Sequence, residues 1–244
     1  YTLSLHDALP ISGKTPFKKE DFLKAVQDDA FIEKMVAKYP KLLANLPSKD
    51  SGVRYRLEGY LFPATYNYGK DTTVKEMIDQ MLAAMDQNLS PYYETLESKN
   101  INVNEVLTLA SLVEKEGATD QDRKDIASVF YNRLNQDMPL QSNIAILYAE
   151  GKLGQKTTLK EDATINTELD SPYNIYKNTG LMPGPVDNPG VSAIEAAVNP
   201  SKTDYLYFVA NVENGEVFFA KTYEEHNKNV EEHVNSKLTQ ASSN

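Results

Sequence analysis

Apolar side chains recur at helical spacing along much of this chain, and the places where the spacing breaks divide it into elements. From Lys18 to Leu46 the residues Phe22, Leu23, Val26, Phe31, Met35, Val36 and Leu42 alternate with charged positions, which predicts one or two amphipathic helices. Pro47 and the SKDSG run after it read as a linker. RYRLEGYLFPATYNYG, residues 54–69, is aromatic, β-prone and closed by turn residues, so a strand or two and a loop are expected there. Helical spacing returns over Thr73 to Asn88 and Tyr92 to Lys99, with Thr72 or Thr73 and Ser90 as N-caps and Pro91 suited to a first helical turn. Asn104 is then placed to cap the run EVLTLASLVEKE and Gly117 to end it, leaving Glu114 and Glu116 on the last turn. A further helix over Asp122 to Asn135 sets Ile126, Val129, Phe130 and Leu134 on one face.

Between Gly151 and Pro200 the periodicity gives way to Gly, Pro, Asn and Thr, as in SPYNIY, GLMPGP and DNPG, and the segment reads mostly as loop. Long loops in a compact domain tend to carry function. DYLYFVANVENGEVFFAKTY is two β-rich runs around Asn214-Gly215, a hairpin signal, and the tail after His226 reads as a polar helix that frays. Tyr1 to Ser12 has no periodicity and is set aside as a foreign or disordered leader. The expected class is α+β: a helical layer carrying the acid, a small antiparallel sheet built from the LEGYLFP and DYLYFVA regions, and a lysozyme-like cleft between them.

Composition narrows what such a fold can do. With 244 residues, 41% hydrophobic and 25% charged, the chain can bury a core in one domain, or in one large and one small domain. No stretch approaches the roughly 18 to 20 consecutive apolar residues of a membrane-spanning helix. The absence of cysteine excludes a thiolate nucleophile, a disulfide and a cysteine-ligated metal. A formal charge of -10 argues against a sequence-independent grip on nucleic acid, which depends on Lys and Arg neutralising phosphates, while an uncharged or weakly charged glycan is compatible with it. Fifteen tyrosines and no tryptophan offer flat faces with polar tips, as useful along a sugar groove as in a core. His6, His226 and His233 are too scattered for most metal or triad schemes, and no HExxH, GxSxG or GxxxxGK[ST] occurs, so neither a metal nor an organic cofactor is expected.

Acid chemistry remains. Glu116 precedes a helix-ending glycine at the end of an apolar helix, where a carboxyl can be half buried; burial raises its pKa, and a Glu still protonated near neutrality can donate to a leaving oxygen. A helical wheel does not separate it from Glu114, since the two lie on opposite shoulders of the apolar face with Lys115 pointing outward. Asn132, Arg133, Gln141, Ser142, Asn174 and Asn188 carry amide, hydroxyl and guanidinium groups of the kind that hold sugar hydroxyls and N-acetyl groups, though each also serves as an ordinary loop or cap residue.

Taken together, LEGYLFPATY (57–66), LASLVEKEG (109–117), IASVFYNRL (126–134), MPLQSN (138–143), SPYNIY (171–176), GLMPGPVDNPG (180–190) and DYLYFVA (204–210) closely resemble, in order and spacing, the MltG or YceG-like endolytic murein transglycosylases. The resemblance covers nearly everything from about Pro16 onward. It implies that Glu116, the second acid of EKE, is catalytic and that Tyr176 orients the sugar or stabilises developing charge beside it. Tyr173 and Asn174 would line the same loop, Gln141 and Ser142 would face the cleft from the LQ[ST] motif, and Glu58 and Tyr60 would contribute from LEGYLFP. Many members read LQ[ST]D where this chain has Asn143. Full-length members also carry a cytoplasmic end, one membrane-spanning helix and a LysM-like module. Residues 13–50 are then expected to be the helical remnant of that module, and 51–244 the catalytic domain.

The implied reaction cleaves the β-1,4 bond between N-acetylmuramic acid and N-acetylglucosamine without water, the muramyl C6 hydroxyl attacking its own C1 to leave a 1,6-anhydro end. One carboxyl suffices as acid and then base, whereas a hydrolase of lysozyme type needs a second, for which Glu58, Asp120 and Asp122 are candidates. A non-catalytic glycan-binding scaffold is the reading from another class. The resemblance further implies peptidoglycan strands as substrate, cell-wall synthases of the elongation or division machinery as partners, a monomer, and a site of action on the outer face of a bacterial cytoplasmic membrane.

Overall fold

A Thr or Asn followed three residues later by an acid recurs in this sequence, and in the computed structural model, which describes residues 17–154, 165–211 and 214–236, four such pairs close as capping boxes. In each, the Thr or Asn side chain accepts from the third backbone N–H while the acid accepts from the cap's own N–H, so two otherwise orphaned donors are satisfied. The pairs are Thr73–Glu76, Asn102–Glu105, Thr119–Asp122 and Thr222–Glu225.

The elements in order are α1 (Lys19–Ala25), α2 (Asp29–Lys38), α3 (Val74–Leu89), α4 (Tyr93–Ser98), α5 (Val103–Glu116), α6 (Asp120–Leu134), α7 (Asn143–Ala149), α8 (Val191–Val198), β1 (Tyr207–Ala210), β2 (Val217–Ala220) and α9 (Tyr223–Val230). The fold is α+β. Its centre is α5, lined on its buried side by Val106, Leu109, Ala110, Leu112 and Val113 and packed against α6 and α8. Phe22, Val26, Ile32 and Met35 of the first two helices join Ile78, Leu82 and Met85 of α3 in the same continuous hydrophobic cluster. The sheet is one antiparallel hairpin, with Tyr207 opposite Ala220 and Ala210 opposite Val217. Phe208 meets Phe130 of α6 edge-on at 5.8 Å, while Tyr207 on the other face stacks on His226 of α9 at 5.3 Å.

Several expectations change. Asn102, not Asn104, caps α5, because only Asn102 has an acid three residues on; Asn104 instead accepts from the Tyr60 hydroxyl (3.2 Å) and donates to the Pro183 carbonyl (3.1 Å). Ser90 opens a 3-10 turn and bonds back to the Gln87 carbonyl instead of capping α4. The LEGYLFP region forms no strand, and among the described residues the sheet is the β1–β2 hairpin. Gly59 turns the chain there at φ +83, and the amides of Gly59 and Leu61 both donate to Asn188 Oδ1, at 2.9 and 3.1 Å, where a strand would need a neighbouring strand. Within the stretch read as loop, VSAIEAAV forms α8, a buried helix. The leader at 1–12 and the tail beyond Ser236 lie outside the described residues; from Tyr223 to Asn235 the C-terminal segment is α9 followed by one π-helical turn.

Gly117 ends α5 in extended conformation, φ -97, and its requirement is space. A Cβ there would stand 2.6 Å from Arg123 Cγ and 3.1 Å from the Arg123 backbone. The glycine lets α6 turn back directly behind the last turn of α5, the turn that carries the acids.

Candidate functional site

The last turn of α5 presents three consecutive charged side chains in three directions. Glu114 Oε2 accepts from the Gly190 amide at 3.0 Å, at the start of α8, and its other oxygen lies 3.8 Å from Arg123. Lys115 does not point outward: it pairs at 3.0 Å with Asp187, whose side chain is wholly buried. Desolvation pushes the Asp187 carboxyl up, with Lys115 pulling against it. Glu116 turns the third way and accepts from the Ser142 hydroxyl at 2.7 Å. Burial pushes the Glu116 carboxyl up, and the bond from Ser142, which favours the ionised form, partly opposes it. Of the two glutamates, one is occupied in fastening α8 and the other is a desolvated acid held by a single hydroxyl.

Ser142 and Asn143 reach the site from the start of α7. Ser142 is its N-cap, its oxygen accepting from Ile144 N–H at 3.2 Å while its proton goes to Glu116. Gln141 before it holds a left-handed conformation, φ +58, and its amide donates to the Ile175 carbonyl at 3.0 Å. That kink brings the LQSN and SPYNIY segments edge to edge, and the Tyr176 hydroxyl donates to Asn143 Oδ1. The phenol is pushed up to about 12, first by burial and then by the charge of Glu116, with Arg133 opposing. Glu116, Ser142, Asn143, Tyr176 and the exposed Gln141 therefore form one cluster at the surface ends of α5 and α7, with Arg133 linking Gln141 to the hairpin.

Other residues singled out from the sequence serve the frame around this cluster. Arg133 donates to the carbonyls of Leu206, Pro139 and Leu140 and to Gln141 Oε1, at 2.6 to 3.1 Å, tying the hairpin to the loop before α7. Asn132 donates to the carbonyls of Thr203 and Tyr205, both at 2.9 Å. Asn174 is buried, donates to the carbonyls of Thr167 and Leu169, and accepts from the Tyr176 amide at 3.1 Å, which shapes the loop from inside. Tyr173 is buried against Tyr148, ring centres 5.0 Å apart. Glu58 is 1% exposed, accepting from Tyr148 at 3.2 Å and Asn188 at 3.4 Å, and Tyr60 is wholly buried. Asp120 accepts from Ser192, and Asp122 closes the cap of α6. Of the carboxylates considered as a second hydrolytic group, Glu58 is thus buried in the scaffold and Asp122 is committed to a cap, while Asp120, its side chain 83% exposed, holds Ser192 at the surface.

Sequence reasoning passed over Lys115–Asp187 as a buried pair and gave Asn143 no function. Asn143 adjoins a motif that had drawn attention, but its partner is 33 positions away and no local pattern announces it. Among the described residues no group of three or more His, Asp or Glu is placed to hold a metal ion, and no helix is long and apolar enough to cross a membrane.

A model of the YceG-like family matches residues 11–232. The endolytic murein transglycosylase of Streptococcus pneumoniae serotype 2 is 65% identical over 225 residues, covering 92% of this chain and 41% of that protein. Its Bacillus subtilis 168 namesake is 42% identical over 231 residues, covering 94% of this chain and 62% of that one. The chain thus spans well under half of the pneumococcal relative and less than two thirds of the Bacillus one. Among solved structures, a YceG-like protein of Listeria monocytogenes superposes with a TM-score of 0.84 at 45% identity, over 93% of this chain and 73% of its own.

Proposed function

We propose, from the premise that this chain belongs to the YceG-like family, that it is the catalytic part of an endolytic lytic transglycosylase acting on the glycan strands of peptidoglycan. The observation that carries the proposal is the desolvated carboxyl of Glu116, held by Ser142 beside the Tyr176 hydroxyl. A protonated Glu116 donates to the glycosidic oxygen as the C1–O bond of the muramyl residue breaks. The carboxylate left behind then takes the proton of the C6 hydroxyl as O6 bonds to C1, which closes the 1,6-anhydro ring and restores the acid. No water enters, so no second carboxylate is needed, and the structural employment of Glu58 and Asp122 supports this reading over a hydrolase. Tyr176 lies where it can face the developing charge at C1, and the exposed Gln141 can contact the strand. In the whole protein we place this part beyond a LysM-like module and a membrane anchor, on the outer face of the cytoplasmic membrane beside cell-wall synthases.

Mass spectrometry of products from uncrosslinked peptidoglycan strands tests the reading. Anhydromuramyl ends, lost in Glu116→Gln and retained in Glu114→Gln, are expected. Reducing muramyl ends would replace the proposal with hydrolysis, and equal loss in both variants would remove Glu116 from its assigned role.

A further inference from the structure

The Tyr176 hydroxyl has one proton, and the structure commits it: it points at Asn143 Oδ1. We propose that Asn143 is a positioning residue for the transglycosylase reaction, accepting the Tyr176 hydrogen bond so that the phenol offers only acceptor lone pairs to the sugar. The inference rests on the function proposed above and adds the polarity of the tyrosine, which decides what Tyr176 does. An oxygen turned lone pairs outward stabilises the positive charge developing at the muramyl C1, whereas a phenol with a free proton would offer that centre a positive end.

Three observations carry this. Asn143 and Ser142 are consecutive, and the left-handed backbone at Gln141 aims their two side chains at two separate groups, Tyr176 and Glu116. A non-glycine residue in that conformation is strained and persists where surroundings enforce it. Here the enforcement is the Gln141 N–H to Ile175 carbonyl bond, which locks the Asn143 loop to the Tyr176 loop, and the Arg133 bond to Gln141 Oε1, which ties the same residue to α6. The phenol also keeps its proton across the working range, since burial pushes it up to about 12.

A double-mutant cycle separates positioning from a plain scaffold role. Wild type, Asn143→Leu, Tyr176→Phe and the double variant would be assayed for kcat and KM on uncrosslinked strands. Asn143→Leu should lower kcat roughly tenfold, the loss of about one oriented hydrogen bond, and should cost nothing further in the Tyr176→Phe background. Asn143→Asp, which can only accept, should keep most of the activity. The phenol C–O infrared band, isolated by subtracting the Tyr176→Phe spectrum, should move from a donor to a non-donor position in Asn143→Leu and stay donor-like in Asn143→Asp. That readout needs no turnover. Equal loss from Asn143→Leu in both backgrounds, an Asp variant as poor as Leu, or an unmoved band would each overturn the proposal. Cleavage surviving in Glu116→Gln would overturn the underlying function instead, with the infrared result still standing.

Discussion

In the role proposed for it Glu116 donates a proton, and the burial that favours its protonated form also makes its anion expensive. Its pKa is raised in the folded chain above the ordinary 4.5, mainly by desolvation. The stability tied to this group is therefore fully present below about pH 4.5 and is lost as pH rises through the folded-state value. Glu116→Gln removes the ionisation. The variant should match wild type near pH 4 and melt progressively higher from there to pH 8, by about 2–4 °C per kcal/mol recovered, while losing cleavage. Melting curves at several pH values check this; a Gln variant less stable than wild type at pH 8 would contradict it. Ser142 offers a second handle, because its bond favours the carboxylate. Ser142→Ala should shift the alkaline limb of kcat/KM to higher pH, and loss of the α7 cap should cost about 1 kcal/mol of stability. The helical wheel could not reach this distinction between the glutamates, because what separates them is a hydroxyl 26 residues away in one case and an amide 76 residues away in the other.

At the scale of elements, legibility followed whether a signal was local. The spans of α3, α5 and α6 and the hairpin followed from apolar spacing and turn residues, whereas the cap of α5 is Asn102, with Glu105 three positions on, and not the Asn104 that the apolar run suggests. LEGYLFP misled because its aromatic, β-prone residues are buried as a turn whose amides Asn188 satisfies from far along the chain. The short α8 was hidden by the Pro and Gly residues before it, although Ala193, Ile194, Ala197 and Val198 already have helical spacing. Three glycines test what these junctions demand. Gly59 combines φ +83 with a Cβ position 2.3 Å from Pro185; Gly117 has ordinary φ but a Cβ 2.6 Å from Arg123; Gly215 has φ +74 and open space. Alanine should be worst at Gly59. At Gly215 it should cost about 1–2 kcal/mol, the left-handed penalty alone, and at Gly117 about 1–3 kcal/mol, from crowding. Urea denaturation of the three variants would rank them, and Gly215→Ala more damaging than Gly59→Ala would refute the account. Gly117→Ala should also reduce cleavage beyond its effect on stability, because it pushes on the turn that aims Glu116.

Across the whole molecule, the turn bearing the acid is held by ties to segments distant in sequence: Glu114 to the Gly190 amide, Lys115 to Asp187, Glu116 to the cap of α7. The Lys115–Asp187 pair is the most exposed to failure, because its two ends differ. Lys115 retains some access to water, with 22% of its side chain exposed, while Asp187 has none. Desolvation outweighs the lysine in setting the Asp187 carboxyl, which is raised above its ordinary value with Lys115 as the counter-charge that opposes the rise. Removing the lysine as Lys115→Met leaves a buried anion with no counter-charge, a loss of about 3–5 kcal/mol when one partner of such a pair is deleted. Removing the acid as Asp187→Asn leaves a lysine that can turn to solvent, and should be milder. The asymmetry has a pH signature. A carboxyl raised in the fold stabilises most when protonated, so the Lys115→Met deficit should shrink as pH falls toward the ordinary carboxylate value of 3.8 and widen as pH rises. Denaturation of both variants at pH 4.5 and pH 8 measures it. If Asp187→Asn proved the more damaging, or if the Lys115→Met deficit did not change with pH, the pair would not be the fastening described here, and the orientation of Glu116 would have to depend on Glu114 and Ser142 alone.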